Sequence, residues 1–210
     1  MANGRTRYWC CGWRTPDTLI PRPETELLVE TALELLPAGQ PLRFADLGAG
    51  SGCIGVTLCL ERPRWCGLLL ELSAPALEVA RANAARLGAA TRLDALRADL
   101  RAIPLAAGSC DLLVSNPPYI KEEEKKDMER NVLDYEPHLA LFVPDNDPLL
   151  YYWHIAHFGK KKLRRNGHLY FEINAACGNM VVEMLEEEGY KNIELIQDLS
   201  GRDRIIKARK

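Results

Sequence analysis

Two hydrophobic rhythms alternate along the chain, one of short apolar runs and one of apolar residues spaced three and four apart. The first reads as buried strands and the second as amphipathic helices. Pro23 opens a helical pattern with Leu28, Ala32 and Leu35 on one face, closed by Pro37. Residues 42–47 form a short apolar run that leads into a glycine-rich turn, and residues 53–60 continue as an apolar helix until Arg62-Pro63. Residues 67–72 are a second strand. Ser73 caps the next helix, with Pro75 in its first turn, apolar Leu77, Ala80, Ala84 and Leu87, and a stop at Gly88. Residues 111–115 make a further strand, ending at Asn116-Pro117-Pro118.

The second half continues the alternation. Residues 147–165 read as a helix with a basic C-terminal end, which suits the helix dipole, and Gly167 stops it before a strand over 168–173. Residues 178–188 are a helix closed by Gly189, and strands over 193–199 and 204–208 finish the chain as a pair. Strands separated by helices predict one α/β domain, a mainly parallel sheet covered on both faces.

Composition narrows the class. At 210 residues, 47% hydrophobic and 27% charged, the chain is an ordinary globular protein. No apolar run is long enough for a membrane span, and the first residues lack the apolar core of a signal peptide. A net charge of -2 gives no global attraction for a polyanion. The dense basic run over 160–165 reads as a solvated helix end, and 121–130 as a polar loop or helix. Seven cysteines, including Cys10 and Cys11, contain no C-x-x-C pair, so neither a zinc site nor a redox motif is signalled; reduced thiols are expected. His154 and His157 share a helix face without a third ligand, so no metal site is assigned. Residues 1–120 contain no lysine, whereas residues 121–210 contain nine. Lysine and arginine are near-equivalent on a solvated surface, so the break reads as two homologous halves of different origin joined near Tyr119-Ile120, with local drift as the alternative. Imperfect packing across that join is the expectation.

Candidate chemistry sits in two loops. Asp46 precedes Gly48-Ala49-Gly50-Ser51-Gly52, between a strand and a helix. The glycines permit tight turning and close backbone approach to a ligand. Asp46 can accept a bond from a ligand ammonium or fix the loop. Glu71 ends the next strand, where an acid grips a ribose diol. The G-x-G-x-G spacing, with an aspartate ahead of it, resembles motif I of the Rossmann-like S-adenosylmethionine methyltransferases. By that resemblance Asp99, which otherwise reads as a turn aspartate, lies near the adenine amine.

The second loop is Asn116-Pro117-Pro118-Tyr119. Both Asn116 and Pro117 precede a proline and are held extended, and neither proline offers an N–H. What remains are acceptors: the Asn116 side-chain carbonyl and the Pro117 backbone carbonyl. Two fixed acceptors can hold both hydrogens of an NH2 group, and Tyr119 gives a flat face for a planar amide or base. Such a grip aims a poorly nucleophilic nitrogen and stabilises the positive charge growing on it.

This tetrapeptide is shared in type by methyltransferases acting on adenine N6, guanine N2 and protein glutamine. The segment from Thr18 to Glu26, Thr-Leu-Ile-Pro-Arg-Pro-Glu-Thr-Glu, resembles the signature of the HemK-type release-factor glutamine-N5 methyltransferases. Residues 46–55, 71–88, 115–120, 135–141, 171–173 and 198–206 resemble further blocks of that family. The resemblance implies a Rossmann-like class I fold, with seven strands and an antiparallel last strand. It divides the chain into a lead-in over 1–17 and a methyltransferase domain over 18–210. It implies S-adenosylmethionine as cofactor, giving S-adenosylhomocysteine, contacted by residues 48–52, Glu71, Leu100 and Asn116. Residues 116–119 would bind the glutamine of a release factor's Gly-Gly-Gln loop, with Arg22, Glu24 and Glu26 bridging to them. A cytoplasmic monomer, with no membrane and no stable nucleic-acid complex, is expected.

Three departures from the family stand out. Only 17 residues precede the signature where the family carries a helical domain that helps bind the release factor, so reduced affinity is expected. Glu71 stands where aspartate is commoner, and residues 142–147 replace a glycine-rich stretch. Two rivals follow: a nucleic-acid base methyltransferase, which would need phosphate contacts, and a cofactor-binding but inactive truncated domain.

Overall fold

The computed structural model describes residues 15–35, 37, 39–128 and 130–210. Cys10, Cys11 and most of the 1–17 lead-in lie outside the described residues. In chain order the elements are α1 (Pro23–Leu33), β1 (Leu42–Leu47), α2 (Cys53–Glu61), β2 (Trp65–Glu71), α3 (Ala74–Arg86), β3 (Leu93–Arg97), β4 (Cys110–Ser115), β5 (Ile120–Lys121), α4 (Arg130–Tyr135), β6 (Phe142–Val143), α5 (Leu150–Lys162), β7 (Leu163–Glu172), α6 (Gly178–Glu187), β8 (Lys191–Gln197) and β9 (Asp203–Arg209).

Seven strands form one sheet in the order β3-β2-β1-β4-β7-β9-β8. Strands β1 to β4 and β7 run parallel, and β9 is antiparallel to both its neighbours. The expected sheet, with its antiparallel last strand, is therefore present. The strand period sorts the core: Leu42, Phe44, Leu112, Val114 and Tyr170 pack against α1, α2 and α3. Ala45, Leu47, Leu113, Leu169 and Phe171 pack against α5 and α6 on the opposite face. By the same alternation, Asp46 and Glu172 belong to the α1–α2 face.

The chain leaves β1 toward β2 and β3 on one side, then crosses back to β4 on the other. The crevice between the C-terminal ends of β1 and β4 is thus the switch point where α/β sheets take their ligands. The Ser115 hydroxyl donates to the Leu47 carbonyl at 2.6 Å and ties these two ends together.

Two expectations change. The helix expected over 147–165 spans only Leu150–Lys162, because Leu163 is fully buried and pairs with Cys110 as the start of β7. Strand β3 has no counterpart in the sequence reading; it is a sheet edge with only Leu93 buried, so it lacks a clear apolar run. The polar stretch over 121–130, read as a loop or helix, contains a 3-10 helix over Glu122–Asp127. Strands β4 and β7, from either side of the compositional break, pair directly, and both core clusters draw on both halves. The pairing across the join carries one register irregularity, between Cys110 and Leu112.

Candidate active site

The glycine loop is closed by backbone bonds. Gly48 and Ala49 N–H groups donate to the Leu70 carbonyl at 2.8 and 3.0 Å, fastening the loop to the end of β2. Gly52 has a φ of 77°, a conformation that requires glycine, and a Cβ there would also press on Ala80 and Leu69 at 3.2 Å. Glu71 takes the Gly50 N–H on one carboxylate oxygen and the Ser73 N–H on the other, each at 2.8 Å. One acid thereby joins the glycine loop to the start of α3.

Asp46 is wholly buried, and its Oδ2 accepts the Gly55 N–H at 2.9 Å. Asp46 thus holds the loop's helix through one oxygen, while its Oδ1 lies buried without a hydrogen-bond partner. Burial pushes its carboxyl up to about 7, opposed by the Gly55 bond and aided by Glu71. Ser51 is buried, its carbonyl accepting from the Asn83 amide at 2.9 Å.

Gly48, Gly50, Glu71, Leu100, Asn116 and Pro118 line one cavity of about 200 Å³ at the switch point. Asp46, Ala49, Ser51, Gly52 and Asp99 do not line it, and the first four act from behind as its frame. Asp99 turns its carboxylate to Arg101 at 2.6 Å, which holds its pKa below the usual range, while its neighbour Leu100 faces the cavity. Pro16 to Leu19, Leu139 and Tyr151 also line this cavity, although the sequence reading had assigned them no such role. The lead-in assigned to 1–17 thus contributes Pro16 and Asp17 to its wall.

A second, largely apolar cavity of about 140 Å³ is lined by Leu19, Arg22, Asn116, Pro117, Tyr119 and Leu141, among others. Asn116 borders both cavities. Beyond the prolines, the Tyr119 and Ile120 N–H groups donate to the Leu141 carbonyl at 3.2 and 2.9 Å, anchoring the loop's exit. Arg22 reaches Glu136 of the Tyr135-Glu136-Pro137 block at 2.5 Å, across 114 positions of sequence. The acid Arg22 meets is therefore neither Glu24 nor Glu26. Two residues that sequence reasoning left without a role lie behind the loop: Thr25, whose Oγ1 accepts from the Asn116 amide nitrogen at 3.4 Å, and buried Glu172. Glu172 falls within the 171–173 block, and its signal is a charged residue directly after the apolar run Leu169–Phe171.

Comparison with known proteins agrees with this geometry. The methyltransferase small domain family matches residues 23–135. The release factor glutamine methyltransferase of Bacteroides thetaiotaomicron is 44% identical over 196 residues, 92% of this chain and 68% of the relative. That of Nitratidesulfovibrio vulgaris is 46% identical over 93% of this chain and 66% of its own length. The chain spans about two thirds of the length of these relatives. Among solved structures, a methyltransferase from Pyrococcus furiosus superposes with a TM-score of 0.67 at 14% identity, covering 95% of this chain and 88% of that one. A ribosomal protein L11 methylase from Lactobacillus delbrueckii subsp. bulgaricus gives 0.63 at 18% identity, covering 91% and 79%. These two show the fold, and the closer sequence relatives settle the kinship: the chain belongs to the release factor glutamine methyltransferase family.

Proposed function

We propose that the chain binds S-adenosylmethionine in the glycine-loop cavity and methylates the side-chain amide nitrogen (N5) of a glutamine. That glutamine belongs to the Gly-Gly-Gln loop of a peptide-chain release factor and enters through the smaller cavity. The observation that carries this reading is Asn116, which borders both cavities at once.

The residues fit the cofactor. Glu71 spends one lone pair of each oxygen on a backbone N–H and keeps others for a ribose diol. Gly48 and Gly50 let the backbone approach the ligand, and Leu72 and Leu100 give apolar walls for its base. The bound cofactor supplies a methyl carbon made electrophilic by its sulfonium, and S-adenosylhomocysteine is left behind.

The chain then positions the acceptor. Because Asn116 turns its NH2 toward Thr25, its Oδ1 lies on the other edge of the amide, free to accept one hydrogen of the glutamine NH2. The Pro117 carbonyl accepts the other, and the Tyr119 ring supports the amide plane. Approach of two held reactants can be worth about 7–11 kcal/mol. Held by these acceptors, the glutamine nitrogen would present its lone pair to the methyl group that the cofactor would supply, and its surplus proton would pass to water. The protein acts as a monomer in the cytoplasm, without a stable nucleic-acid complex; among the described residues no helix is long and apolar enough to cross a membrane.

The test is mass spectrometry of a release factor incubated with enzyme and S-adenosylmethionine. The parent should add one CH2 to the glutamine of the Gly-Gly-Gln loop and Asn116→Ala should not. Modification of RNA or DNA instead, or an equally active variant, would overturn the reading. Absence of any calorimetric heat with the cofactor would point to an inactive module.

A further inference from the structure

The smaller cavity has a neighbour. Tyr119, Ile120 and Met128, which line it, also line a groove of about 360 Å³. Four polar residues complete that groove: Asn174 just after β7, Arg202 and Arg204 at the start of β9, and Glu124 in the 3-10 helix after β5. Nothing in the proposed transfer uses it, yet a protein substrate must leave the cavity somewhere. Four bonds of about 1.5 Å separate a glutamine Cα from its amide nitrogen, so the main chain stays within roughly 5 Å of the held amide. On its Asn116 side the smaller cavity meets the space assigned to the cofactor. The Tyr119 side, where the groove lies, is left for the main chain.

The polar groups of the groove match a main chain. Each main-chain unit carries one N–H donor and one C=O acceptor. Arg202 is exposed and has no ion pair among the described residues, so its guanidinium donors are uncommitted. The loop that carries it is fixed by Asp198, whose Oδ1 takes the Ser200 and Arg202 N–H groups at 2.8 and 3.1 Å. Asn174 Oδ1 takes the Ala176 N–H at 3.0 Å, which leaves its NH2 group to donate. Glu124 takes the Lys121 N–H at 2.8 Å on one oxygen and keeps lone pairs to accept. Charge points the same way. Asp198 offsets Arg204 at 3.4 Å, and Glu124 balances Arg202 within the groove, so a polyanion meets no net attraction there.

We propose that this groove binds the main chain of the release-factor loop beside the target glutamine, with Arg202 and Asn174 donating to its carbonyls and Glu124 accepting an N–H. The glycines next to that glutamine suit the groove, because they bring main-chain groups without side chains to compete for the space. This deepens the methylation proposed above and rests on that reading for the identity of the bound loop.

The test is calorimetry at saturating S-adenosylhomocysteine with a synthetic peptide carrying the Gly-Gly-Gln loop, beside steady-state methylation of the whole release factor. The variants are Arg202→Met, Asn174→Asp, which keeps the oxygen that takes the Ala176 N–H, and Arg165→Met as a charge control near the opposite end of β7. Arg202→Met and Asn174→Asp should each raise the peptide Kd and the release-factor KM by about 3- to 10-fold. Their kcat and cofactor Kd should hold, and Arg165→Met should match the parent. A peptide with alanine in place of the glutamine should bind more weakly but lose the same factor with Arg202→Met. Peptide Kd and release-factor KM equal in the parent and both groove variants would overturn the proposal, as would a loss that Arg165→Met reproduces. So would a single-stranded RNA whose binding depends on Arg202 and is strengthened by Glu124→Gln. A parent that binds the peptide through Arg202 yet methylates no glutamine would refute the methylation reading and leave the groove standing.

Discussion

The two cavities that meet at Asn116 are built in opposite ways. The glycine-loop side is held by backbone groups: Gly48, Ala49 and Gly50 N–H groups close onto β2 within some 20 positions of sequence. The Tyr119 side is held by side chains from distant segments, Arg22 on Glu136 and Thr25 on Asn116. A backbone-made site depends on conformation and tolerates changes of side chain. A side-chain-made site depends on identity at each contributing position. The first can therefore persist when the chemistry acted on changes, and the second can define what is acted on.

The severest way to break the comparison is Asn116→Ala, because that residue belongs to both sides. If its carbonyl is the acceptor that stabilises charge on the nitrogen, kcat should drop by about 10²–10³-fold, the loss seen when one preorganised group at developing charge is removed. Cofactor affinity should move only a few-fold, since Gly48, Gly50 and Glu71 remain. Single-turnover methylation and calorimetry check the two halves separately. A large loss of cofactor binding with normal turnover at saturation would place Asn116 on the glycine-loop side alone.

Glu71→Ala tests the other side. It removes the acceptor for the Gly50 and Ser73 N–H groups as well as the expected ribose contact. A bond to a charged group contributes about 1.5–3 kcal/mol, so the cofactor Kd should rise by about 10- to 100-fold, with kcat at saturating cofactor nearly unchanged. Glu71→Asp, one methylene shorter, should fall between. Equal Kd values for parent and Glu71→Ala would show that the backbone alone makes this cavity.

The same contrast explains what could be read from the chain. Gly48, Gly50, Glu71 and residues 116–119 were legible because local pattern fixes them: a glycine turn after a strand, an acid at the next strand end, and two prolines that stiffen a loop. The parallel order of β1, β2 and β4 followed from the alternation of apolar runs and helices. The Arg22–Glu136 pair and the Thr25 contact were not legible, because no local rule ties positions that far apart. Strand β3 escaped for a different reason: its sheet-edge position leaves four of its five residues at least partly exposed, so there was no apolar run to find. The start of β7 was hidden by basic residues that suit a helix end equally well. Asp46 was found, but its direction was not, since a carboxylate before a glycine loop can face ligand or helix.

The smallest effect belongs to the Arg22–Glu136 pair, and it tests whether the Tyr119 side is held together by specific partners. The contact is 2.5 Å, yet Arg22 is 38% exposed while Glu136 is 4% exposed. Solvent screening at Arg22 limits the pair to about 0.5–1 kcal/mol. Glu136 is the vulnerable member, because its Oε2 already lies buried without a partner and Arg22→Met would leave the other oxygen unpaired as well. Arg22→Met should lower the melting temperature by a few degrees and raise KM for the release factor a few-fold, with cofactor Kd unchanged. Replacing both partners removes the stranded charge, so Arg22→Met with Glu136→Gln should be more stable than the sum of the single changes predicts. Strict additivity in thermal unfolding would mean that the two side chains touch without coupling. The smaller cavity would then owe its shape to Leu19, Pro117 and Leu141 rather than to the charge pair.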